Sequence, residues 1–270
     1  MRDVSFGQYY PADSVVHRCD PRTKLLFLIF YIAAVFTAKN FYGLAACAIV
    51  FVLVAALSRV PIGSVLRSVK AIVILLIFTA VLNLFFYSGE TILWQWKFLK
   101  FTKEGIFYTI FLSARLFLLV MGSAILTLTT TPVSLTDGIE SLLFPLKLIR
   151  FPVHELALIM SIALRFIPIL TDETGRIMNA QKARGADFES GGLIRRIKAV
   201  IPVLIPLLIS AFRRADELGD AMDARCYSGS KVRTKYKKLT FALRDLWAFL
   251  LCGALLAGVI LLRVYFSNVI

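Results

Sequence analysis

Apolar runs separated by short polar segments dominate this chain, falling at residues 25–38, 41–58, 71–87, 105–129, 151–170, 199–212 and 246–262. A helix that crosses a membrane needs about 20 apolar residues, within a range of roughly 17–25. The runs 41–58, 71–87, 105–129 and 246–262 reach or approach that length. The run 25–38 is shorter, but Lys24 and Lys39 flank it and can reach toward the two membrane surfaces. Only Lys39 and Asn40 separate its end from the next run, which predicts a tight helical hairpin.

The two central runs read differently. Residues 151–170 carry His154, Glu155 and Arg165, with Pro152 and Pro168 near the edges, and residues 199–212 contain Pro202 and Pro206. If both crossed the membrane, the stretch 171–198 with Arg176, Lys182, Arg184, Arg195, Arg196 and Lys198 would lie outside. Loops rich in Lys and Arg stay on the cytoplasmic side. Both runs are therefore expected at the interface or buried against other helices. The pattern predicts an all-α integral membrane protein with about five transmembrane helices plus long cytoplasmic helices. Its parts are a cytoplasmic N-terminus at 1–24, a four-helix membrane part at 25–130, a cytoplasmic or interfacial region at 131–244 and a final span at 245–270.

Charge sets the orientation. With the N-terminus inside, 25 Lys and Arg residues fall in cytoplasmic segments, 5 fall outside, and Arg115 lies within a span. Trp94 and Trp96 in the outer loop and Trp247 at the last inner boundary suit interfacial positions. Lys231 to Lys238 form a basic stretch that can lie on anionic headgroups before the last span.

Composition agrees with this picture. Of 270 residues, 59% are hydrophobic and 18% charged, with a mean hydropathy of +0.78. Soluble domains run nearer about 45–50% apolar and 25% charged, so the excess apolar surface must face lipid or partner subunits. The net charge of +14 is concentrated on the inner side, which points to membrane topology and not to nucleic acid. The polar opening, with Pro11 and Pro21, lacks the apolar core of a cleavable signal, so the first run is expected to stay as an anchor. Cys19, Cys47, Cys226 and Cys252 are dispersed, with His17 and His154 the only histidines, so neither a metal site nor a cofactor is expected.

No phosphate-binding loop, nucleophile elbow or zinc-protease signature occurs, and no catalytic residue is assigned. Asp216, Asp220 and Asp223 have a faint likeness to acidic lipid-transferase motifs, but the second aspartate set that holds paired metals is missing.

The basic region has its own order. Residues 169–184 read as a helix in which Asp172 and Glu173 can pair with Arg176. It closes on Ala183-Arg184-Gly185, with arginine in the last turn and glycine placed for a left-handed cap. Residues 207–227 read as a second helix, with Leu208, Ala211, Phe212, Ala215, Leu218 and Met222 on one face and Arg213 near Asp216 and Glu217 on the other. That helix closes on Ala224-Arg225-Cys226. The turn between the two is expected at Glu189-Ser190-Gly191-Gly192. Small residues flanking an arginine let a helix end enter a partner's cleft and make paired bonds to a carboxylate.

The segments GQYYPADSVVHRCDPRTKLL, RFIPILTDETGRIMNAQKARGAD and FRRADELGDAMDARCY, together with this topology, carry a resemblance over most of the chain. The chain resembles the transmembrane T components of energy-coupling factor (ECF) vitamin transporters, the family of CbiQ and EcfT. The resemblance implies a membrane scaffold with cytoplasmic coupling helices that dock on two ABC-type ATPase subunits. It also implies a small substrate-binding membrane subunit, the S component, as a further partner, in a prokaryotic plasma membrane. By position, Arg184 and Arg225 then enter one ATPase groove each, flanked by Ala183, Gly185, Ala224 and Cys226, with Cys226 departing from the family's glycine. A T component shared by several substrate subunits is expected over a dedicated cobalt or biotin version.

A membrane-embedded enzyme or a self-contained secondary transporter is the alternative, but neither a polar catalytic cluster nor repeated halves appear. Arg115, costly within a span, is a functional candidate or a snorkelling and pairing residue. Ala254 and Gly258 share a small-residue spacing suited to close helix packing.

Overall fold

The computed structural model describes residues 9–86, 92–96, 99–145, 152–188, 192–227 and 240–265. Helix α1 (Pro21–Thr37) begins where the Asp20 side chain accepts the Arg22 N–H and Pro21, lacking a donor, fills the first turn. After the short turn through Asn40 comes α2 (Phe41–Ser58), which ends with Arg59 in the left-handed region at φ 54°. Helix α3 (Ile62–Phe86) follows Pro61. An antiparallel hairpin, β1 (Ile92–Trp96) and β2 (Leu99–Thr102), then leads into α4 (Lys103–Thr129). Thr102 caps α4 by accepting the Gly105 N–H at 3.2 Å. Thr131 and Pro132 start α5 (Pro132–Leu142) in the same manner. The remaining helices are α6 (Val153–Ala183), α7 (Leu193–Ala224) and α8 (Leu243–Tyr265).

The helical membrane fold is as the run pattern predicts, with two additions: the hairpin and α5. Trp94 and Trp96 lie in β1, and their side chains fall outside the described residues, as do Glu189, Ser190, Gly191 and the basic stretch 231–238. Gly192 is the N-cap of α7.

The central runs are longer than their apolar parts. The run 151–170 and the segment 169–184 form one helix of 31 residues through Pro168, and 199–212 with 207–227 forms one of 32 residues through Pro202 and Pro206. Each proline removes one N–H from the ladder, yet flanking turns of good helix formers carry the helix across it. Among the described residues, four helices are long and apolar enough to cross a membrane: α2, α4, α6 and α8. Helix α1 has 17 residues, and the stretch Ile72–Phe85 of α3 is a shorter apolar helix. Helix α6, which the charge pattern places at the interface, therefore has the dimensions of a span, and only 6% of its apolar window is buried within the chain.

The chain divides into two compact units. One contains α1 to α5, the hairpin and α8, and the other contains α6 from Glu155 onward and all of α7. In the first unit α1 is central, packed against α8, α4, α5 and α2. Its core gathers Tyr31, Ala34, Val35 and Ala38 with Leu44, Cys47, Phe111, Leu118, Leu255 and Val259. Small residues bring the helices close. A Cβ on Gly122 would lie 2.8 Å from Cε1 of Tyr31, and one on Gly138 would lie 3.1 Å from Cβ of Pro21. The latter contact seats α5 on α1, although the sequence pattern groups it with the coupling region. Ala254 and Gly258 do not take part in such packing: Ala254 is exposed, and the space around Gly258 is open.

Polar groups tie the helix ends. The carboxylate of Asp245, 2% exposed, accepts the Asp20 N–H at 3.0 Å and the Ala242 N–H at 2.8 Å. The Lys24 ammonium donates to the carbonyls of His17 and Thr129 at 3.1 and 3.0 Å. Asn40 donates to the Leu262 carbonyl at 3.3 Å. Outward-facing Ile49, Val52, Ile74 and Phe78 are exposed, the inverse of a water-soluble surface and what a lipid-facing bundle needs.

Candidate functional site

Helices α6 and α7 end alike. At the end of α6, Arg184 occupies the cap, Gly185 takes φ +88°, the Gly185 N–H bonds to the Lys182 carbonyl at 3.0 Å, and the Ala186 N–H bonds to the Gln181 carbonyl at 2.9 Å. At the end of α7, Arg225 occupies the cap, Cys226 takes φ 56°, its N–H bonds to the Asp223 carbonyl at 2.8 Å, and the Tyr227 N–H bonds to the Met222 carbonyl at 3.0 Å. Both are Schellman closures, in which a left-handed residue turns the chain back and satisfies the last carbonyls. Cys226 thus holds, without glycine, the conformation that Gly185 holds easily. A Cβ in that region costs roughly 1–2 kcal/mol, so the local turn is kept against a conformational cost.

All six residues of the two tripeptides, Ala183, Arg184, Gly185, Ala224, Arg225 and Cys226, are exposed. Among the described residues neither guanidinium has an ion-pair partner. Each arginine sits where the helix dipole puts partial negative charge, and the small neighbours leave it projecting from a bare helix tip.

Among the described residues, two polar contacts join α6 to α7. Arg214 Nη2 lies 3.5 Å from Glu173 Oε2, and the Gln181 side-chain amide donates to the Pro202 carbonyl at 3.5 Å. The second bond has a local cause. Pro206 has no N–H to offer the carbonyl four residues earlier, so the Pro202 oxygen is left for a side chain to satisfy. Because Gln181 meets Pro202, Arg225 stands roughly 35 Å further along α7 than the tip of α6, at 1.5 Å per residue. The two motifs are separate and do not form one cluster.

Glu173 pairs with Arg214, where helical spacing favours Arg176, and among the described residues Arg213 makes no ion pair with Asp216 or Glu217. The pairing expected within α6 is only as strong as other exposed pairs, so a cross-helix partner displaces it. The Gln181–Pro202 contact escapes a reading of helical faces, although its signal, a proline four residues after an interior carbonyl, is present in the sequence.

The amphipathic face of α7 is split. Ala211, Leu218 and Met222 are half-buried, while Leu208, Phe212 and Ala215 are exposed. The exposed apolar surface continues through Ile201, Leu204 and Ile205. On α6 it includes Leu156, Ile159 and Met160. Arg115 is engaged within its unit: its Nη2 donates to the Ala38 carbonyl and its guanidinium lies 4.7 Å over the Phe111 ring, while its buried Nε–H has no hydrogen-bond partner. That bonding marks it as a packing residue.

Comparison with known proteins follows the same outline. The family model described as CbiQ, cobalt transport protein, matches residues 12–236. The energy-coupling factor transporter transmembrane protein EcfT of Ruminiclostridium cellulolyticum is 46% identical over 266 residues, covering 98% of this chain and 99% of the relative. The protein of the same name from Clostridium kluyveri is 47% identical over 270 residues, covering 99% of this chain and all of the relative. That of Bacillus subtilis is 45% identical over 245 residues, or 91% of this chain and 92% of the relative. Extended likeness of this kind, across both units and both helix ends, means that the chain belongs to the CbiQ/EcfT family of energy-coupling factor transporter transmembrane proteins.

Proposed function

We propose that this chain is the scaffold and energy-coupling subunit of an ECF-type ABC importer for vitamins or other micronutrients. It performs no chemistry itself: two ABC-type ATPase subunits hydrolyse ATP, and a small substrate-binding membrane subunit holds the cargo. The observation that carries this reading is the pair of matched helix ends, each presenting an exposed arginine beside a left-handed cap. Two equivalent tips, set far apart, suit two equivalent clefts lined with carboxylates. The uncovered apolar surface of α6 and α7 supports docking of the substrate-binding subunit, since exposed apolar area of this extent seeks a partner or lipid.

In this mechanism ATP binding draws the ATPases together and changes the angle or separation of α6 and α7. The apolar surface that holds the substrate-binding subunit then shifts, and the subunit reorients to release its cargo inside. The switch requires the two states to differ in interaction free energy, which the ATPase grooves supply. The N-terminus and the two helix tips lie in the cytoplasm of a bacterium, in keeping with the 25 inner cations against 5 outer ones. The name shared by the similar proteins favours a general T component over one dedicated to cobalt.

Copurification tests the proposal. The tagged chain is expressed with the ABC ATPases of its own organism, and wild type is compared with the Arg184→Glu/Arg225→Glu double variant. Two ATPase subunits are expected with wild type and few or none with the variant. If the variant keeps its ATPases, the arginines are ordinary helix ends, and the enzyme and secondary-transporter readings return.

A further inference from the structure

A cavity of about 200 Å³ lies within the first unit, between α1, α2, α4 and α8. One end is formed where α1 and α8 begin and α2 and α4 finish, by Lys24, Leu57, Thr129 and Arg244, and the other is closed by Tyr31, Val50, Gly122 and Leu251. From Thr23 to Tyr31 the slot runs along two turns of α1, or roughly 12 Å. Its walls are almost wholly apolar, while Leu53, Leu57 and Trp247 on its rim are exposed, so it opens sideways. A buried water needs only about 10–15 Å³ and several polar partners, so this space is far too large and too apolar for isolated waters.

Two features separate it from a packing defect. Both cations stand at one end only. The nearby carboxylates hydrogen-bond to backbone N–H groups and not to the two cations, although their charge reaches Lys24: Asp245 accepts the Asp20 and Ala242 N–H groups, and Asp20 accepts the Arg22 N–H. Lys24 uses two of the three donors of an ammonium on the His17 and Thr129 carbonyls, and Arg244 is exposed. In addition, a hydroxyl in the wall one residue from Lys24 is buried without a hydrogen-bond partner, Thr23 Oγ1, in a side chain 1% exposed. Buried donors of this kind are nearly always satisfied in the working molecule.

We infer that this slot binds one anionic phospholipid, its phosphate at Arg244 and Lys24, its ester oxygens within reach of Thr23, and an acyl chain lying along α1 toward Tyr31. An apolar chain fills the walls, an anion matches the cationic end, and an ester supplies the acceptor that a hydrocarbon cannot. The lipid wedges between α1, α2, α4 and α8 and so stiffens the membrane unit; this role stands whether or not the coupling reading holds.

The full-length chain, purified in detergent and stripped of lipid, is melted with dioleoylphosphatidylglycerol, with dioleoylphosphatidylcholine or with inorganic phosphate. Native mass spectrometry counts retained lipid. Phosphatidylglycerol is expected to stabilise wild type well beyond phosphatidylcholine, with one molecule retained per chain, and phosphate alone to do nothing. Arg244→Gln, at an exposed position that leaves folding intact, is expected to weaken phosphatidylglycerol about tenfold, the loss of one charge-assisted contact. Val54→Trp, which fills the slot, is expected to abolish retention. Equal effects of the two lipids, unchanged binding in Arg244→Gln, or retention in a folded Val54→Trp variant would each overturn the inference. A shift produced by phosphate alone would also overturn it, leaving only an ion site.

Discussion

The guanidinium of Arg115, midway along α4, donates from Nη2 to the carbonyl of Ala38, the residue that caps the end of α1. The last carbonyls of a helix have no donor within it, and inside a membrane water does not supply one. Arg115 brings that donor from a neighbouring helix and rests its own charge on the Phe111 ring, which in turn meets Phe41 edge-on. Replacing Arg115 by Met removes a charged hydrogen bond worth about 1.5–3 kcal/mol. The variant should melt earlier in detergent, and Arg115→Lys should recover part of the loss. An unchanged melting point in Arg115→Met would assign the residue a role other than fastening α1 to α4.

The cap residues predict opposite responses to similar changes. Cys226→Gly relieves the cost of a left-handed side chain and should stabilise the last turn of α7 by about 1 kcal/mol. Amide exchange at Tyr227, whose N–H closes the turn on Met222, should then slow by about fivefold. Gly185→Val should do the reverse at Ala186 and fray the end of α6. Equal exchange in wild type and both variants would mean that the two turns are held by something other than their left-handed residues.

Much of this was legible before any coordinates, and what was not has a physical reason. Runs such as 41–58 and 105–129 are long and uniformly apolar, so their identity as helices follows from length alone. Gly185 and Arg184 show themselves as a helix stop by residue type, and the same stop at Cys226 is visible only by likeness to the first. The continuity of α6 and α7 through Pro168, Pro202 and Pro206 was hidden, because a proline weighs locally as a break while the bonds on either side decide the outcome. The Glu173–Arg214 pair was hidden for another reason: spacing along one helix reveals partners within that helix and says nothing of the next one. The cavity beside Tyr31 depends on four helices at once and has no signature in any single run.

The N-terminal segment should loosen in acid. His17 places Nδ1 2.7 Å from the Ser14 hydroxyl and Nε2 3.0 Å from the Tyr10 carbonyl, a pattern suited to a neutral ring that donates from Nε2 and accepts at Nδ1. Burial lowers its pKa from the ordinary 6.5, outweighing the Tyr10 carbonyl, which raises it. The unfolded segment therefore takes up protons more readily than the folded one. The stabilisation is full above the unfolded value and is lost as pH falls through the depressed folded value. Melting of wild type should decline more steeply between pH 7.5 and pH 5 than melting of His17→Gln, on the order expected for one titrating group. Parallel declines would place the acid sensitivity elsewhere.

The Glu173–Arg214 pair offers a way to separate docking from coupling. Its side chains are 27% and 34% exposed, so the pair contributes only about 0.2–1 kcal/mol to stability, and neither residue lies in an Ala-Arg-small tip. Its position matters more than its strength, because it joins α6 to α7 at a point remote from both arginine caps. If movement of one helix is passed to the other through this contact, Glu173→Gln should leave both ATPases bound and ATP hydrolysis near wild type. Substrate uptake in proteoliposomes should fall by about two- to fivefold, the loss that such a pair can impose on the balance between two states. The exchanged pair, Glu173→Arg with Arg214→Glu, keeps the attraction with its sign reversed and should restore uptake. Loss of the ATPases in the single variant would show that the pair shapes the docking points themselves, and full uptake without it would show that α6 and α7 are coupled by other contacts.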